Sequence, residues 1–147
     1  MCGDDPNVPM FQALRDGRRT FREVAEELRI TENTVRARYK KLIDSGVLEV
    51  TALVNPEMIE GHQTAMVGMK VKSADLLSAG KRIAGLKGVI SVRVVTGRYD
   101  LLVEILLKEG FGLLEFFTEE LASVDDVQDF ETFVVYKSFG HLVPYVL

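Results

Sequence analysis

Between residues 31 and 43, four basic side chains share a short stretch with a single acid, Glu32. Arginine and lysine can bind phosphates or guanine, asparagine can pair with adenine, and threonine can contact a thymine methyl group. If a helix presents these side chains on one face, the chemistry that they favour is reading of the DNA major groove. The candidate DNA-binding residues are Thr31, Asn33, Thr34, Arg36, Arg38, Lys40 and Lys41.

Two short amphipathic helices are predicted to position these side chains. In the first, apolar residues recur at spacings of three and four from Phe21, and the helix ends near Arg29. Thr31 then supplies a side-chain oxygen suited to capping a second helix. The predicted buried positions of that second helix are Val35, Tyr39, Leu42 and Ile43. Helices joined by so few residues must cross steeply, so the pattern predicts a helix-turn-helix with its polar face exposed.

A cationic helix face is more often an ordinary solvated surface, because lysine and arginine are usually exposed in folded proteins. The DNA-binding interpretation is favoured here because an amphipathic helix, a tight turn and a capping residue all accompany the basic cluster. Within the cluster, Arg38 lies nearest to the predicted buried stripe. We therefore expect Arg38 to contact backbone phosphate or to brace the domain.

The order and spacing of residues in this region resemble the DNA-binding domain of the Lrp/AsnC, or feast/famine, family of transcriptional regulators. The resemblance is carried by DGR at residues 16–18, FREVAEEL at 21–28 and TENTVRARYKKLIDSGVL at 31–48. In that family a hydroxyl residue opens the recognition helix, followed by a valine, a basic cluster, a leucine and a terminal glycine. The matching residues here are Thr31, Val35, Arg36 to Lys41, Leu42 and Gly46. The resemblance implies a regulator that binds double-stranded DNA.

A shorter helix is expected to precede this pair. Pro6 and Pro9 prevent a helix from starting before about Asn7 or Val8, although a proline is tolerated in the first turn. The apolar side chains Met10, Phe11 and Leu14 would then pack on the two helices that follow. The corresponding helix of the resembled family is usually longer.

The rest of the chain shows a doubled pattern of strand, helix and strand. The predicted strands and helices cover, in chain order, residues 65–72, 76–84, 89–95, 99–107, 114–124 and 127–136. This βαββαβ order predicts a ferredoxin-like domain, in which four antiparallel strands carry both helices on one face. The other face would expose the apolar side chains of Leu102, Leu106, Phe133 and Val135. A patch of this kind predicts burial by a second subunit, as in the dimers of the resembled family.

The predicted fold class is therefore α+β, with two domains. Residues 1–50 form the helix-turn-helix domain, which is winged-helix-like, and residues 51–55 form a linker strand. The run from Val47 to Val54 is predicted to be a strand or an extended connector. Pro56 and Gly61 mark the boundary. Residues 56–147 form the ferredoxin-like domain, to which the resemblance assigns effector binding and oligomerisation.

The predicted hairpin between the two halves, at residues 96–100, is the second candidate site. Gly97 lets a ligand approach the backbone, Tyr99 offers a ring, and Arg98 and Asp100 carry opposite charges. By composition alone this is an ordinary turn. In the resembled family, however, a Gly-x-Tyr/Phe-Asp hairpin lines a pocket between dimers that binds an amino acid. The candidate effector-binding residues are Thr96, Gly97, Arg98, Tyr99, Asp100 and, on the last strand, Thr132.

An amino acid needs a carboxylate partner for its ammonium group and a cation or backbone N–H groups for its carboxylate. In this hairpin Asp100 is the expected ammonium partner and Arg98 the expected carboxylate partner. The expected partners of the protein are thus double-stranded DNA, an amino-acid effector and a second copy of the chain, with dimers assembling into higher oligomers such as octamers.

Composition restricts the remaining possibilities. The chain has 147 residues, 47% of them apolar, and a net charge of −4. Its first fifty residues hold nine basic and nine acidic side chains, so attraction to DNA must be local. The single cysteine, Cys2, excludes an internal disulfide framework, and His62 and His141 have no neighbours at metal-ligand spacing. We expect neither a metal nor a cofactor.

No apolar run approaches the roughly 20 residues of a membrane helix, and the N-terminus lacks a secretory pattern, so a cytoplasmic protein is expected. Some ferredoxin-like domains are enzymes, but the sequence holds no nucleophile–base set and no Walker or dinucleotide glycine motif. We predict no catalytic residues. The alternative function is a constitutive architectural DNA-binding module, or a protein-interaction module, that has no effector.

Overall fold

A computed structural model of the chain describes residues 5–72 and 74–147. The chain divides into two compact units, of which the first ends at Thr51 and the second begins at Ala52. Cys2 lies outside the described residues. Within the described ranges, no helix is both long enough and apolar enough to span a membrane.

The described part of the N-terminal unit forms three helices. They are α1 (Val8–Ala13), α2 (Phe21–Leu28) and α3 (Glu32–Asp44). The start of α1 confirms the prediction from the two prolines, since Asn7 is its capping position and a proline lies in its first turn. The buried side chains of this unit are Met10, Ala13, Val24, Ala25, Val35 and Leu42.

Capping interactions set the ends of α2 and α3. The Glu23 backbone N–H donates to the Thr20 hydroxyl, and the Glu23 carboxylate accepts from the Thr20 backbone N–H, which lowers the pKa of Glu23. Arg29 ends α2 in the left-handed conformation, with φ of 54°. The Thr34 N–H donates to the Thr31 hydroxyl at 3.2 Å, which confirms the predicted cap of α3. The tight turn between the helices is thus formed by local hydrogen bonds.

The C-terminal unit contains one four-stranded sheet and one two-stranded sheet. Its elements are β1 (Leu53–Val54), a short 3₁₀ helix (Pro56–Met58), β2 (Gln63–Val71), α4 (Leu76–Ala84), β3 (Val89–Val94), β4 (Leu101–Leu107), α5 (Leu113–Glu115), β5 (Val127–Val134) and β6 (Val143–Pro144). After α5 the chain continues through a wider π turn (Phe116–Glu120) and a 3₁₀ turn (Leu121–Ser123). The main sheet is antiparallel in the order β3-β4-β2-β5. This order confirms the predicted ferredoxin-like arrangement.

The helices cover one face of the main sheet, as the strand alternation predicted. On β2 the four buried side chains of that face are Ala65, Val67, Met69 and Val71, and on β4 they are Leu101, Val103, Ile105 and Leu107. The predicted stripe of the second helix is wrong at Leu114, which is 70% exposed. Phe116 is fully buried instead, and Leu121 follows it five residues later, because the π turn inserts one extra residue per turn.

The other face of the sheet is crossed by the C-terminal tail. Glu104 lies on this face, because it alternates along β4 with Val103 and Ile105, which pack under the helices. The His141 Nε2 atom lies 2.6 Å from the Glu104 Oε1 atom. Beyond His141, the tail pairs as β6 with β1. The sequence did not predict this strand pair.

Within the single chain, the exposure of that face differs from the prediction. Leu106 is fully buried within the single chain, so the prediction that a second subunit covers it is wrong. Leu102 and Val135 are half-buried, whereas Phe133 remains 47% exposed. The apolar surface of this face is therefore confined to its β5 side.

Gly88 and Gly110 offer a test of packing next to β3. Both glycines have a positive φ, 81° at Gly88 and 77° at Gly110. A Cβ atom at Gly88 would lie 2.7 Å from Phe111 and 2.9 Å from the Leu106 carbonyl oxygen. A Cβ atom at Gly110 would meet nothing within 4 Å. Gly110→Ala should cost about 1–2 kcal/mol for backbone strain alone. Gly88→Ala should cost roughly 1–3 kcal/mol more. Urea unfolding at one protein concentration measures the free energy of unfolding of both variants. Equal losses of stability in the two variants would contradict the crowding at Gly88.

Candidate functional sites

The predicted DNA-binding residues share the accessible side of α3. All seven are exposed except Thr34, which is half-buried. The hydroxyl groups of Thr31 and Thr34 lie 2.8 Å apart and take part in the helix cap. These two threonines therefore have a structural role in addition to any contact with DNA.

Two of the four cations on α3 are paired with acids of the same helix. The Arg36 Nη2 atom donates to Glu32 at 2.8 Å, and the Lys40 Nζ atom donates to Asp44 at 2.7 Å. The hydrogen bond to Asp44 raises the pKa of Lys40. Arg36 also lies over the ring of Phe21, with its Cζ atom 5.0 Å from the ring centroid. Because such exposed pairs contribute little stability, a DNA phosphate can replace the carboxylate partner.

The other two cations of α3 form no ion pair with any described residue. Arg38 and Lys41 line a cavity of about 400 Å³ on the opposite flank of the helix. The other residues of the lining are Pro6, Asn7, Leu42, Ser45 and Val47. The four basic residues are thus divided into a paired flank and an unpaired flank.

The predicted effector hairpin connects β3 to β4. The Val95 N–H donates to the Asp100 carbonyl at 3.0 Å, which closes the turn, and Thr96, Gly97 and Arg98 are exposed. Gly97 has a φ of 119°, and a Cβ atom there would meet nothing within 4 Å. A glycine is favoured at this position by its backbone conformation and not by crowding.

Tyr99 lies flat on the sheet, on the face opposite the helices. A Cβ atom at Gly68 would be 2.6 Å from the Tyr99 ring, so only glycine leaves space for it. The Tyr99 hydroxyl donates to Glu131, and this hydrogen bond raises the pKa of Tyr99. Its ring also makes an edge contact with Phe133, with 6.4 Å between the centroids. Tyr99 thereby joins the hairpin to β5.

The Asp100 side chain points back to β2. Its two carboxylate oxygens accept from the Val71 backbone N–H at 3.0 Å and from the Lys70 ammonium at 3.4 Å. The hydrogen bond from Val71, supported by the charge of Lys70, lowers the pKa of Asp100 below its ordinary value of 3.8. The carboxylate predicted to bind an effector is therefore already used to fix the hairpin on the sheet.

A cavity of about 310 Å³ lies beside the hairpin. Its lining residues are Lys70, Arg98, Tyr99, Asp129, Phe130 and Glu131. Arg98 lies 3.2 Å from Glu131, whereas Asp129 forms no ion pair with the described part of the chain. The cavity thus combines cations, aromatic rings and one unpaired carboxylate, which are the groups that a zwitterion requires.

Two of the six predicted effector residues, Arg98 and Tyr99, line this cavity. Thr132 pairs with Val67 and so lies on the helix-covered side of the sheet, opposite Tyr99. The sequence reasoning missed Lys70, Asp129, Phe130 and Glu131. The alternation of β5 could have identified Asp129 and Glu131, because it places both acids on the same face as Tyr99.

The fold and the two sites define a class of protein, namely a DNA-binding regulator with a separate ligand-binding domain. Residues 11–49 match the family model described as winged helix-turn-helix DNA-binding, and residues 64–141 match the Lrp/AsnC ligand binding domain. The chain belongs to the Lrp/AsnC family of transcriptional regulators.

Similar proteins come from archaea and bacteria. The chain is 34% identical over 123 residues to the uncharacterised HTH-type transcriptional regulator PH1692 of Pyrococcus horikoshii, covering 83% of this chain and 82% of that protein. It is 30% identical over 125 residues to the regulator FL11 of Pyrococcus abyssi, covering 84% and 82%.

Among solved structures, the regulator NMB0573 of Neisseria meningitidis in complex with L-Met is similar with a TM-score of 0.70 at 24% identity, covering 99% of this chain and 96% of that one. AsnC of E. coli has a TM-score of 0.66 at 22% identity, covering 88% and 89%. These similarities show the shared fold.

Asp100 provides a pH test of its structural role. Asp100→Asn removes the charge that the Val71 N–H and Lys70 stabilise, so the variant should be less stable than the wild type at neutral pH. Because the folded-state pKa is lowered, this contribution is present above pH 3.8 and is lost as the pH falls through the folded-state pKa. The difference in unfolding free energy, measured in urea at a series of pH values, should shrink over that range.

The matched control for this measurement is Asp125→Asn. Asp125 is exposed and forms no ion pair with the described residues. Its variant should follow the wild type throughout the pH series. A stability difference for Asp100→Asn that stayed constant down to low pH would contradict a structural role for the carboxylate charge.

Proposed function

We propose that the exposed face of α3 reads DNA and that the effector of this regulator is an amino acid bound beside the hairpin at residues 96–100. The observation that carries the effector proposal is the charged cavity there. Asp129 is the proposed partner of the ammonium group, and Lys70 and Arg98 are the proposed partners of the carboxylate. The L-Met complex of the Neisseria meningitidis regulator, which has the same fold, supports an amino acid as the ligand class.

The proposed partner of the effector's ammonium group is thus Asp129, and not Asp100 as the sequence predicted. Both oxygens of Asp100 already accept hydrogen bonds from β2, whereas among the described residues Asp129 accepts only from the adjacent Phe130 N–H, at 2.9 Å. A ligand at Asp129 would not have to break the contacts that fix the hairpin. The role of Asp100 is then to hold Lys70 and the hairpin in place.

We further propose that the functional unit is a homodimer that assembles into larger oligomers. The apolar side chains left exposed near β5 and the tail include Phe133, Tyr136 and Phe139. A surface of this kind is favourably buried against a second copy. Because a ligand can shift an assembly only if it binds one form better, a preference of about 1–3 kcal/mol would suffice to change DNA occupancy.

The alternative is a constitutive DNA-binding module. It is favoured by the pairing of Arg98 with Glu131 and of Lys70 with Asp100, since both cations of the cavity are already neutralised within the chain. The names of the related proteins support regulation and not catalysis. We place this regulator in the cytoplasm and assign it no enzymatic activity.

The paired flank of α3 provides the first test of the DNA-binding face. Arg36→Ala and Lys40→Ala should each weaken binding to a duplex selected by the wild-type protein, by roughly tenfold to a hundredfold. Fluorescence anisotropy at fixed salt measures the affinity, and circular dichroism confirms that the variants are folded. If both variants bind as tightly as the wild type, the assigned face is wrong.

The acids on the same flank are the complementary controls. Glu32→Gln and Asp44→Asn remove the carboxylates that neutralise Arg36 and Lys40. Because each also removes a charge that repels phosphate, both variants should bind DNA more tightly than the wild type. Weaker binding by these variants would mean that the acids, and not the cations, contact the DNA.

The effector assignment is tested with Asp129→Asn and Asp100→Asn. Sedimentation velocity and DNA affinity are measured for each protein with and without a panel of amino acids. The wild type should respond to at least one amino acid, Asp129→Asn should need at least about tenfold more of it because a charged partner is lost, and Asp100→Asn should still respond.

Each of the other outcomes has a clear meaning. If no amino acid changes the assembly or the DNA affinity of the wild type, the constitutive alternative replaces the effector proposal. If Asp100→Asn loses the response and Asp129→Asn keeps it, the ammonium group binds at Asp100. Equal loss in both variants, with stability retained, would require both carboxylates for binding.

A further inference from the structure

We infer that the cavity on the unpaired flank of α3 binds one phosphate of the DNA backbone, held by Arg38 and Lys41. This inference rests on the proposed reading of DNA by α3 and divides that helix into surfaces with different tasks. Contacts to phosphate position a protein on the duplex, whereas contacts to base edges give sequence specificity. The unpaired flank would therefore supply affinity and register, and its removal should leave the sequence preference unchanged.

The first argument is the position of the two cations on the helix. Val35 and Leu42 are buried and define the inner side of α3. At 3.6 residues per turn, Asn33 and Ala37 lie opposite that side, and Arg38 and Lys41 lie on one flank. A helix in the major groove directs its outer side to the bases, and its flanks approach the two backbones that border the groove. Arg38 and Lys41 thus lie where a phosphate is expected.

The second argument is charge. Arg36 and Lys40 on the other flank are each neutralised by an acid one helical turn away. Arg38 and Lys41 form no such pair with the described residues, so the uncompensated positive charge of α3 is concentrated on their flank. The described acids next to the lining in sequence are Asp5, whose carboxylate accepts from the Asn7 backbone N–H at 2.8 Å, and Asp44, which is paired with Lys40. Among the described residues, the lining itself holds two cations and no acid, so the lining is positive.

The third argument is the shape and lining of the cavity. With a volume of about 400 Å³, it can accept a phosphate group together with adjoining sugar atoms. Leu42, Pro6 and Val47 give it apolar walls, and charge interactions are stronger beside such low-dielectric walls. The Asn7 side chain does not bond to the helix that it caps, and in the described part of the chain its amide makes no other hydrogen bond, so it can donate to a phosphate oxygen. The Ser45 hydroxyl already donates to the Leu42 carbonyl at 3.1 Å, so it is not proposed as a donor to the phosphate.

Salt dependence distinguishes one phosphate from two. The logarithm of the binding constant falls with the logarithm of salt concentration by about 0.9 for each phosphate neutralised on duplex DNA. If both cations hold one phosphate, the double variant Arg38→Gln/Lys41→Gln should reduce the slope by roughly 0.9. Two separate contacts would reduce it by about 1.8, which would overturn the single site. An unchanged slope would remove the site altogether.

The specific phosphate can be identified with neutral substitutions in the duplex. Single methylphosphonates are placed in turn along each strand of a duplex selected by the full-length wild-type protein from a randomised library. At one position the substitution should weaken the wild type at least about fivefold and leave the affinity of the double variant nearly unchanged, because the two changes remove one interaction. If the losses add at every position, no phosphate binds at Arg38 and Lys41.

Sequence preference provides the third measurement. The ratio of affinities for the selected duplex and for a scrambled duplex should be the same, within about twofold, in the wild type and the double variant. A large fall in that ratio would mean that these cations read bases, which overturns the inference. The control is Lys81→Gln, which removes one positive charge from the exposed side of α4 and should change neither the slope nor the ratio.

A free phosphate compound could bind through the same chemistry. At matched ionic strength, inorganic phosphate is compared with chloride as a competitor of DNA binding. Equal effects of the two anions support a DNA phosphate as the occupant. The cavity is assigned to a free anion if phosphate competes strongly with DNA for the wild type but not for the double variant, and if no methylphosphonate position shows coupling to the double variant. If the wild type binds no duplex at all, the proposed function fails first, which is a separate result.

Discussion

The register of β2 between β4 and β5 is the constraint on which the cavity beside the hairpin at residues 96–100 depends. It places Gly68 opposite Leu102 on one side and Glu131 on the other. Because glycine has no side chain, the Tyr99 ring can lie in this space and reach Glu131. A shift of one residue would turn the polar side chains under the helices, so the packed face and the binding face are fixed together.

Much of this architecture could be predicted from local patterns. The cap at Thr31, the proline at the start of α1 and the alternation along β2 each depend on residues close in sequence, and the structure confirms them. The buried positions of the α5 region were harder to predict, because a π turn shifts the buried face from Leu114 to its neighbours. The residues of that turn include no proline or glycine that would indicate the irregularity. The tail was missed because a two-residue strand carries too little periodicity to be recognised.

The details of the sites depend on contacts that a sequence does not display. The hairpin at residues 96–100 could be identified by its resemblance to a family pattern, but the direction of the Asp100 side chain could not, because it is decided by a backbone N–H at Val71. Asp44 lies one residue beyond the basic stretch at 31–43, and it neutralises Lys40. In both cases the missing information is the identity of a hydrogen-bond partner.

The contact between the tail and Glu104 also affects the order of events during synthesis. The segment that carries His141 is made after all four strands of the main sheet, so a nascent chain first presents the Glu104 carboxylate without its histidine partner. Domains generally fold from the N-terminal side as they emerge. The helical unit can therefore be complete while the sheet still exposes a face that a newly made neighbouring chain could occupy in place of its own tail. Correct assembly of this protein is thus a competition in time between intramolecular closure and encounter with a second chain.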